Sequence, residues 1–241
     1  MFKVEKVSCP PYLAEVSFEV AVGQIITLMG ASGVGKSVLL RALADLEPHQ
    51  GEVWLQHQAQ SSLPAPQWRR QVMWFGAETA WWHDTVQAHF DELAKWLPTP
   101  SKERSDKPSK KVKKSQNSQS CQELDDLSLD FVQRLKTGLA CLGLSASILQ
   151  QPIWQLSSGE KQRLALIRGL LLQPKVLLLD EVTANLDEQS TRQVEALIQA
   201  YIQQKNTSRC ALWVTHDSQQ SQRVSIDHLE LTAEGVRKSA L

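Results

Sequence analysis

The octapeptide GASGVGKS, Gly30 to Ser37, follows the apolar run Ile25 to Met29 and precedes an apolar-periodic stretch from Lys36 to Leu46. Glycine is disfavoured inside both strands and helices, so three in eight residues mark a tight turn. A buried strand handed through such a turn to a helix commits the chain to an α/β architecture. The octapeptide also fits G-x-x-x-x-G-K-[ST] in the strand-to-helix context that this pattern requires. Glycines let backbone N–H groups approach phosphate oxygens with no Cβ in the way. Lys36 offers a mobile positive charge to β and γ phosphates, and the Ser37 hydroxyl can ligate Mg²⁺. Gly30, Ala31, Ser32, Gly33, Val34, Gly35, Lys36 and Ser37 are therefore the candidate phosphate cradle.

Strand and helix patterns alternate along the rest of the chain. Phe2 to Val7 and Val16 to Val20 read as early antiparallel strands; Glu52 to Leu55, Val72 to Phe75, Val176 to Leu179 and Ala211 to Val214 read as further strands. Thr85 caps a helix running to about Leu97, and a long helix spans about Glu188 to Gln204. This alternation predicts a mostly parallel sheet covered on both faces.

Two of these strands end in carboxylates or histidine. VLLLDE delivers Asp180 and Glu181 to the edge of the sheet where α/β proteins bind ligands, Asp180 as a metal-side acid and Glu181 as general base or water orienter. ALWVTHD repeats the design with His216 and Asp217. A second anion site is marked by LSSGEKQRLALI, where Ser157, Ser158 and Gly159 open an apolar-periodic helix whose first N–H groups are free to hold a negative group.

GASGVGKS, LSSGEKQR, VLLLDE, ANLD at Ala184 to Asp187, and the histidine of WVTHD occur in the order found in ABC-type ATPases, which the chain resembles over all but roughly residues 98 to 124. Within that superfamily it looks similar to the ATP-binding subunits of iron-exporting ABC systems. The resemblance implies a P-loop NTPase fold of ABC type: a mostly parallel core sheet with an antiparallel β part and a helical subdomain. It implies one nucleotide-binding domain over residues 1–241, with the helical subdomain at about 77–172. It also implies MgATP hydrolysis in a head-to-tail homodimer driven against transmembrane permease subunits, with the chain cytoplasmic and peripheral on the inner face of the membrane. In that arrangement Lys36, Glu181 and His216 are catalytic, and Ser37 and Asp180 serve Mg²⁺. Ser157, Ser158, Gly159 and Glu160 act on the partner's nucleotide, and Asp187 couples the two sites.

The sequence departs from the family at three places. Ser158 stands where a second signature glycine is expected. The loop after Val72 to Phe75 reads FGAETAWWHDTV without the family's glutamine, leaving Glu78 as the candidate replacement for Mg²⁺ or water contact, or else as a surface acid. Tyr12, flanked by Pro10 and Pro11, is the one nearby candidate for the adenine-stacking aromatic. Six of the eight tryptophans fall between Trp54 and Trp96. Of the adjacent pair Trp81 and Trp82, one is expected in the core and the other on a surface that docks membrane subunits, because neighbouring side chains diverge.

Lys plus Arg and Asp plus Glu each number 26, so no whole-surface attraction to nucleic acid or anionic lipid is indicated. Residues 101–120 are the exception: seven basic and two acidic residues with a single strongly apolar one, Val112, a composition that predicts a disordered Lys/Ser-rich insertion within about 98–124. That insertion is the only support for an alternative, a soluble ABC ATPase acting on nucleic acid; the missing glutamine supports another, a turnover-deficient nucleotide-binding regulator. The four cysteines lie far apart with no C-x-x-C pair, which predicts neither a disulfide framework nor a zinc site. No segment approaches the ~20 apolar residues that span a bilayer, and the N-terminus has no signal-peptide core. The expectation is a soluble chain of a reducing compartment.

Overall fold

The computed structural model describes residues 1–97 and 130–239. The Lys/Ser-rich stretch predicted as an insertion lies outside them. The chain divides into two units. The first holds residues 1–78, 173–185 and 202–241, and the second 79–172 and 186–201.

Among the described residues ten strands, all in the first unit, form two sheets. β1 (Phe2–Cys9), β2 (Leu13–Val20), β4 (Gln50–Leu55) and β5 (Gln58–Ala59) make an antiparallel sheet in the order β2-β1-β4-β5. The larger sheet has the order β10-β9-β3-β8-β7-β6. It comprises β3 (Ile25–Met29), β6 (Val72–Phe75), β7 (Val176–Asp180), β8 (Cys210–Val214), β9 (Asp227–Thr232) and β10 (Gly235–Ser239). Every pairing in it is parallel except β9 with β10. β7 and β8 are buried at every position, as an unbroken apolar run in a sheet covered on both faces requires. β7, β8 and β6 run in register, so Asp180 ends beside Val214 at the carboxyl edge of the sheet.

α1 (Lys36–Leu43) follows the glycine turn and buries Leu39, Leu40, Ala42 and Leu43 in one apolar cluster. Phe2 and Val4 of β1, Leu28 of β3 and Leu178 of β7 belong to the same cluster. Each fully buried leucine there contributes about 1.5–3 kcal/mol of transfer free energy. Trp68 of α2 (Ala65–Gln71) closes the cluster and donates its indole N–H to Leu43 O at 2.9 Å. α1 stops short of the predicted Leu46 because Asp45 turns to φ 60. Its carbonyl accepts from the Arg69 guanidinium.

The described residues of the second unit form helices: α3 (Val86–Trp96), α4 (Phe131–Cys141), α5 (Ser158–Leu170) and all but the last residue of α6 (Glu188–Ile202). Thr85 caps α3, accepting from Ala88 N. The first unit adds α7 (Ser218–Val224), capped by Asp217. Cys9 and Cys210 are free and buried, and burial pushes the Cys210 thiol up to about 12. Cys141 is disulfide-bonded, which the spacing of the cysteines does not predict. Among the described residues no helix is long and apolar enough to cross a membrane.

Candidate functional site

The glycine turn is exposed at Ala31, Ser32 and Gly33. Two of its glycines are demanded by close approach as well as by positive φ. A Cβ on Gly30 (φ 146) would lie 2.5 Å from Leu231 O, and one on Gly35 (φ 104) would lie 2.6 Å from Tyr12 O. The second clash shows that the β1–β2 turn carrying Tyr12 is packed against the loop. The Tyr12 side chain itself is 71% exposed. Beside it an open groove of about 570 Å³ is lined by residues including Cys9, Val38, Arg41 and His49, a size suited to a small ligand.

Lys36, the first residue of α1, is buried and donates to Gly30 O at 2.8 Å and Ala31 O at 2.9 Å. Burial lowers its pKa, while the Glu181 and Asp180 carboxylates oppose the shift. The lysine and both acids therefore share one electrostatic neighbourhood, although they are more than 140 residues apart. Asp180 is buried at the end of β7. Glu181 then breaks the strand at φ 53, with its N–H donating to Val214 O at 3.3 Å. Such a conformation costs a non-glycine residue about 1–3 kcal/mol and concentrates at functional sites. Its Oε1 lies 3.0 Å from His216 Nε2. P-loop, strand-end acids and histidine are thus gathered at one edge of the larger sheet. A base oriented by a second group near a phosphate cradle is equipped to move a proton from water.

The residues fit Mg²⁺ held chiefly by a nucleotide. The Ser37 hydroxyl and the Asp180 carboxylate are hard oxygen donors of the kind Mg²⁺ takes alongside phosphates and water. No group of three His, Cys, Asp or Glu side chains among the described residues forms a cage for a metal, so phosphate and water oxygens would supply the other ligands. Glu78 is exposed in the segment after β6, next to Ala77.

In the second unit, Ser157 is the N-cap of α5 and forms a capping box with Glu160. The hydroxyl accepts from Glu160 N at 3.2 Å and donates to Glu160 Oε2 at 2.8 Å; Ser157 N–H donates to the same carboxylate at 2.9 Å. Ser158 and Gly159 are the first two residues of the helix. Asp187 caps the start of α6, accepting from Ser190 N at 2.9 Å and from the Ser190 hydroxyl at 2.7 Å. These bonds hold its carboxyl below the usual range.

The tryptophan pair does not divide into the expected core ring and surface ring: both indoles pack on the same Arg168 and His89 side chains, and neither is fully buried. Trp82 is 59% exposed and Trp81 is half-buried. The Arg168 guanidinium, from the last turn of α5, stacks on both rings at 4.7 and 4.8 Å from their centres. Trp82 Nε1 donates to Glu92 at 2.8 Å.

One set of residues was not singled out from the sequence. Buried Gln220 of α7 bonds Thr215 and Thr183, which flank His216 and Glu181. A threonine within two residues of each strand-end residue, Thr183 and Thr215, was the local signal.

An ABC transporter family model matches residues 13–184. That span includes Gly30–Ser37, Ser157–Glu160 and Asp180–Glu181 but stops before Asp187 and His216. The chain is 34% identical over 206 residues to the probable iron export ATP-binding protein FetA of Escherichia coli, covering 85% of this chain and 78% of that protein. It is 33% identical to the lipoprotein-releasing system ATP-binding protein LolD of Acinetobacter baylyi, covering 89% and 85% respectively. The spermidine/putrescine import ATP-binding protein PotA of Legionella pneumophila is 30% identical, but this chain spans only 51% of it. The dimeric structure of MJ0796, a bacterial ABC transporter cassette, superposes with TM-score 0.73 at 19% identity over the whole chain, which speaks for the fold. With its cradle, strand-end acids and signature helix in family order, the chain belongs to the ABC transporter family as an ATP-hydrolysing, ATP-binding subunit.

Proposed function

We propose that the chain hydrolyses MgATP in a homodimer whose two sites are each shared between subunits, and that it passes the resulting motion to a membrane permease. The observation that carries the reading is the Glu181–His216 pair beside Lys36 and the phosphate cradle. In this scheme residues 1–241 act as one nucleotide-binding domain with a helical subdomain at about 77–172. Lys36 leaves the carbonyls of Gly30 and Ala31 for the β and γ phosphates, and Tyr12 stacks on the adenine at the open groove. Ser37 and Asp180 would hold Mg²⁺, with Glu78 a further candidate contact; when bound, the ion would supply charge neutralisation at the phosphates. Glu181 takes a proton from the attacking water as its oxygen bonds the γ phosphorus and ADP departs, and His216 holds the carboxylate in line. Ser157, Ser158, Gly159 and Glu160 present the start of α5 to the partner's γ-phosphate, and Asp187 couples the sites.

Trp82 is the proposed permease anchor, because an exposed indole held from behind by Arg168 and Glu92 offers a rigid apolar contact. Trp82→Ala should leave ATP turnover of the isolated subunit within about two-fold, since anchor energy is realised only in the complex. Co-purification with the permease should be lost. Retained co-purification would remove Trp82 from the interface. Through that contact the chain would lie peripherally on the inner face of the membrane.

For the transported substrate we favour a metal, iron in the outward direction, on the likeness to the E. coli relative. Cells lacking the chain should then retain more iron than wild type. The wild-type chain should restore the level, and a Glu181→Gln chain should not. Unchanged iron with altered lipoprotein release or polyamine uptake would reassign the substrate.

A further inference from the structure

We infer that Gln220 is a positioning residue for the Glu181–His216 pair, an inference that rests on the catalytic roles proposed above. The two side chains of the pair are 39% and 53% exposed, so packing around them does not fix their meeting at 3.0 Å. Their orientation has to come from the backbone on either side. Glu181 is held in a conformation with little intrinsic preference, φ 53, which persists only where its surroundings over-determine it.

One constraint is the main-chain bond from Glu181 N to Val214 O. A second is the main-chain bond from Ala184 N to Glu181 O, and a further one is the Gln220 amide. Thr215, immediately before His216, donates its hydroxyl to Gln220 Oε1 at 2.7 Å. The hydroxyl of Thr183, two residues after Glu181, meets both amide atoms, 3.2 Å from Oε1 and 3.0 Å from Nε2. A single planar group thus ties the segment leaving β7 to the segment leaving β8. It is 2% exposed, so water does not compete for these bonds and they are correspondingly stiff. Gln220 is itself fixed from the main chain, where its N–H donates to the capping Asp217 carboxylate at 3.1 Å. The Asp217 N–H in turn donates to the Thr215 hydroxyl at 3.1 Å. Each anchor is therefore anchored, as orientation to within a fraction of an ångström requires.

The test compares Gln220→Met, which keeps the buried shape and removes the amide, with Gln220→Ala. Both are made in wild-type and in Glu181→Gln backgrounds, with ATP and Mg²⁺ as the probe. In the wild-type background kcat should fall about tenfold with KM within about two-fold, because misplacing a base weakens the transition state more than the ground state. In the Glu181→Gln background the residual single-turnover rate should be unaffected by either change, since no base remains to be misplaced. A kcat within about two-fold of wild type in the folded Gln220→Met protein overturns the proposal. An equal proportional loss in both backgrounds does so too, because it reports general loosening. If Glu181→Gln alone keeps wild-type turnover, the catalytic reading itself falls, and the role of Gln220 with it.

Discussion

Glu181→Gln is expected to lower ATP turnover by about two to four orders of magnitude, the usual worth of a positioned general base. Binding should survive. The amide is nearly isosteric, its oxygen can still meet His216, and the backbone at Glu181 is held from Val214 O whatever the side chain. Lys36 loses the Glu181 carboxylate but keeps that of Asp180, and the ammonium and the backbone N–H groups of the cradle still attract phosphate. The variant should bind ATP and close without turning over, giving an ATP-dependent dimer visible by size exclusion. Turnover within about three-fold of wild type would sink the assignment, since loss of a working base costs far more than that.

Mixing two dead variants is expected to restore activity. Lys36→Ala removes the phosphate-facing charge of the subunit's own site. Gly159→Asp puts a carboxylate at the second residue of α5, where like-charge repulsion in a desolvated interface opposes any γ-phosphate. Each homodimer carries two broken sites. In the mixed dimer both lesions fall in one site and leave the other with an intact cradle and an intact signature. Random exchange makes half of the dimers mixed, so turnover should return to at most roughly a quarter of wild type. If subunits exchange and the mixture stays dead, the signature does not act across the interface.

Where residue type and neighbours decide the structure, it was legible in advance. Strands Ile25–Met29 and Val72–Phe75 lie where the apolar runs place them. Thr85 caps its helix as its hydroxyl suggests, and Gly30–Ser37, Asp180, Glu181 and His216 are all marked by local pattern. The hairpin of β9 and β10 was not read, because its strands mix charged and apolar residues and are sorted only by pairing. α4 was missed where the chain emerges from the charged stretch. The Thr183–Gln220–Thr215 contacts join residues up to 37 positions apart, and nothing in composition distinguishes that glutamine from its neighbours Gln219 and Gln222. Side-chain networks of this kind exist only once the sheet has brought β7 beside β8.

If the site is shared between subunits as proposed, the capping box at the start of α5 bears on how it closes. With Ser157 N–H and O–H both turned onto Glu160, the helix end already carries an anion of its own. On the shared-site reading, closure is an exchange of one negative group for another rather than the filling of a void. A nucleotide without a γ-phosphate brings nothing to exchange. Discrimination between the triphosphate and the diphosphate would then reside partly in the far subunit, and separation after hydrolysis would be the carboxylate's return to its donors. The mixed-dimer experiment decides whether that exchange takes place.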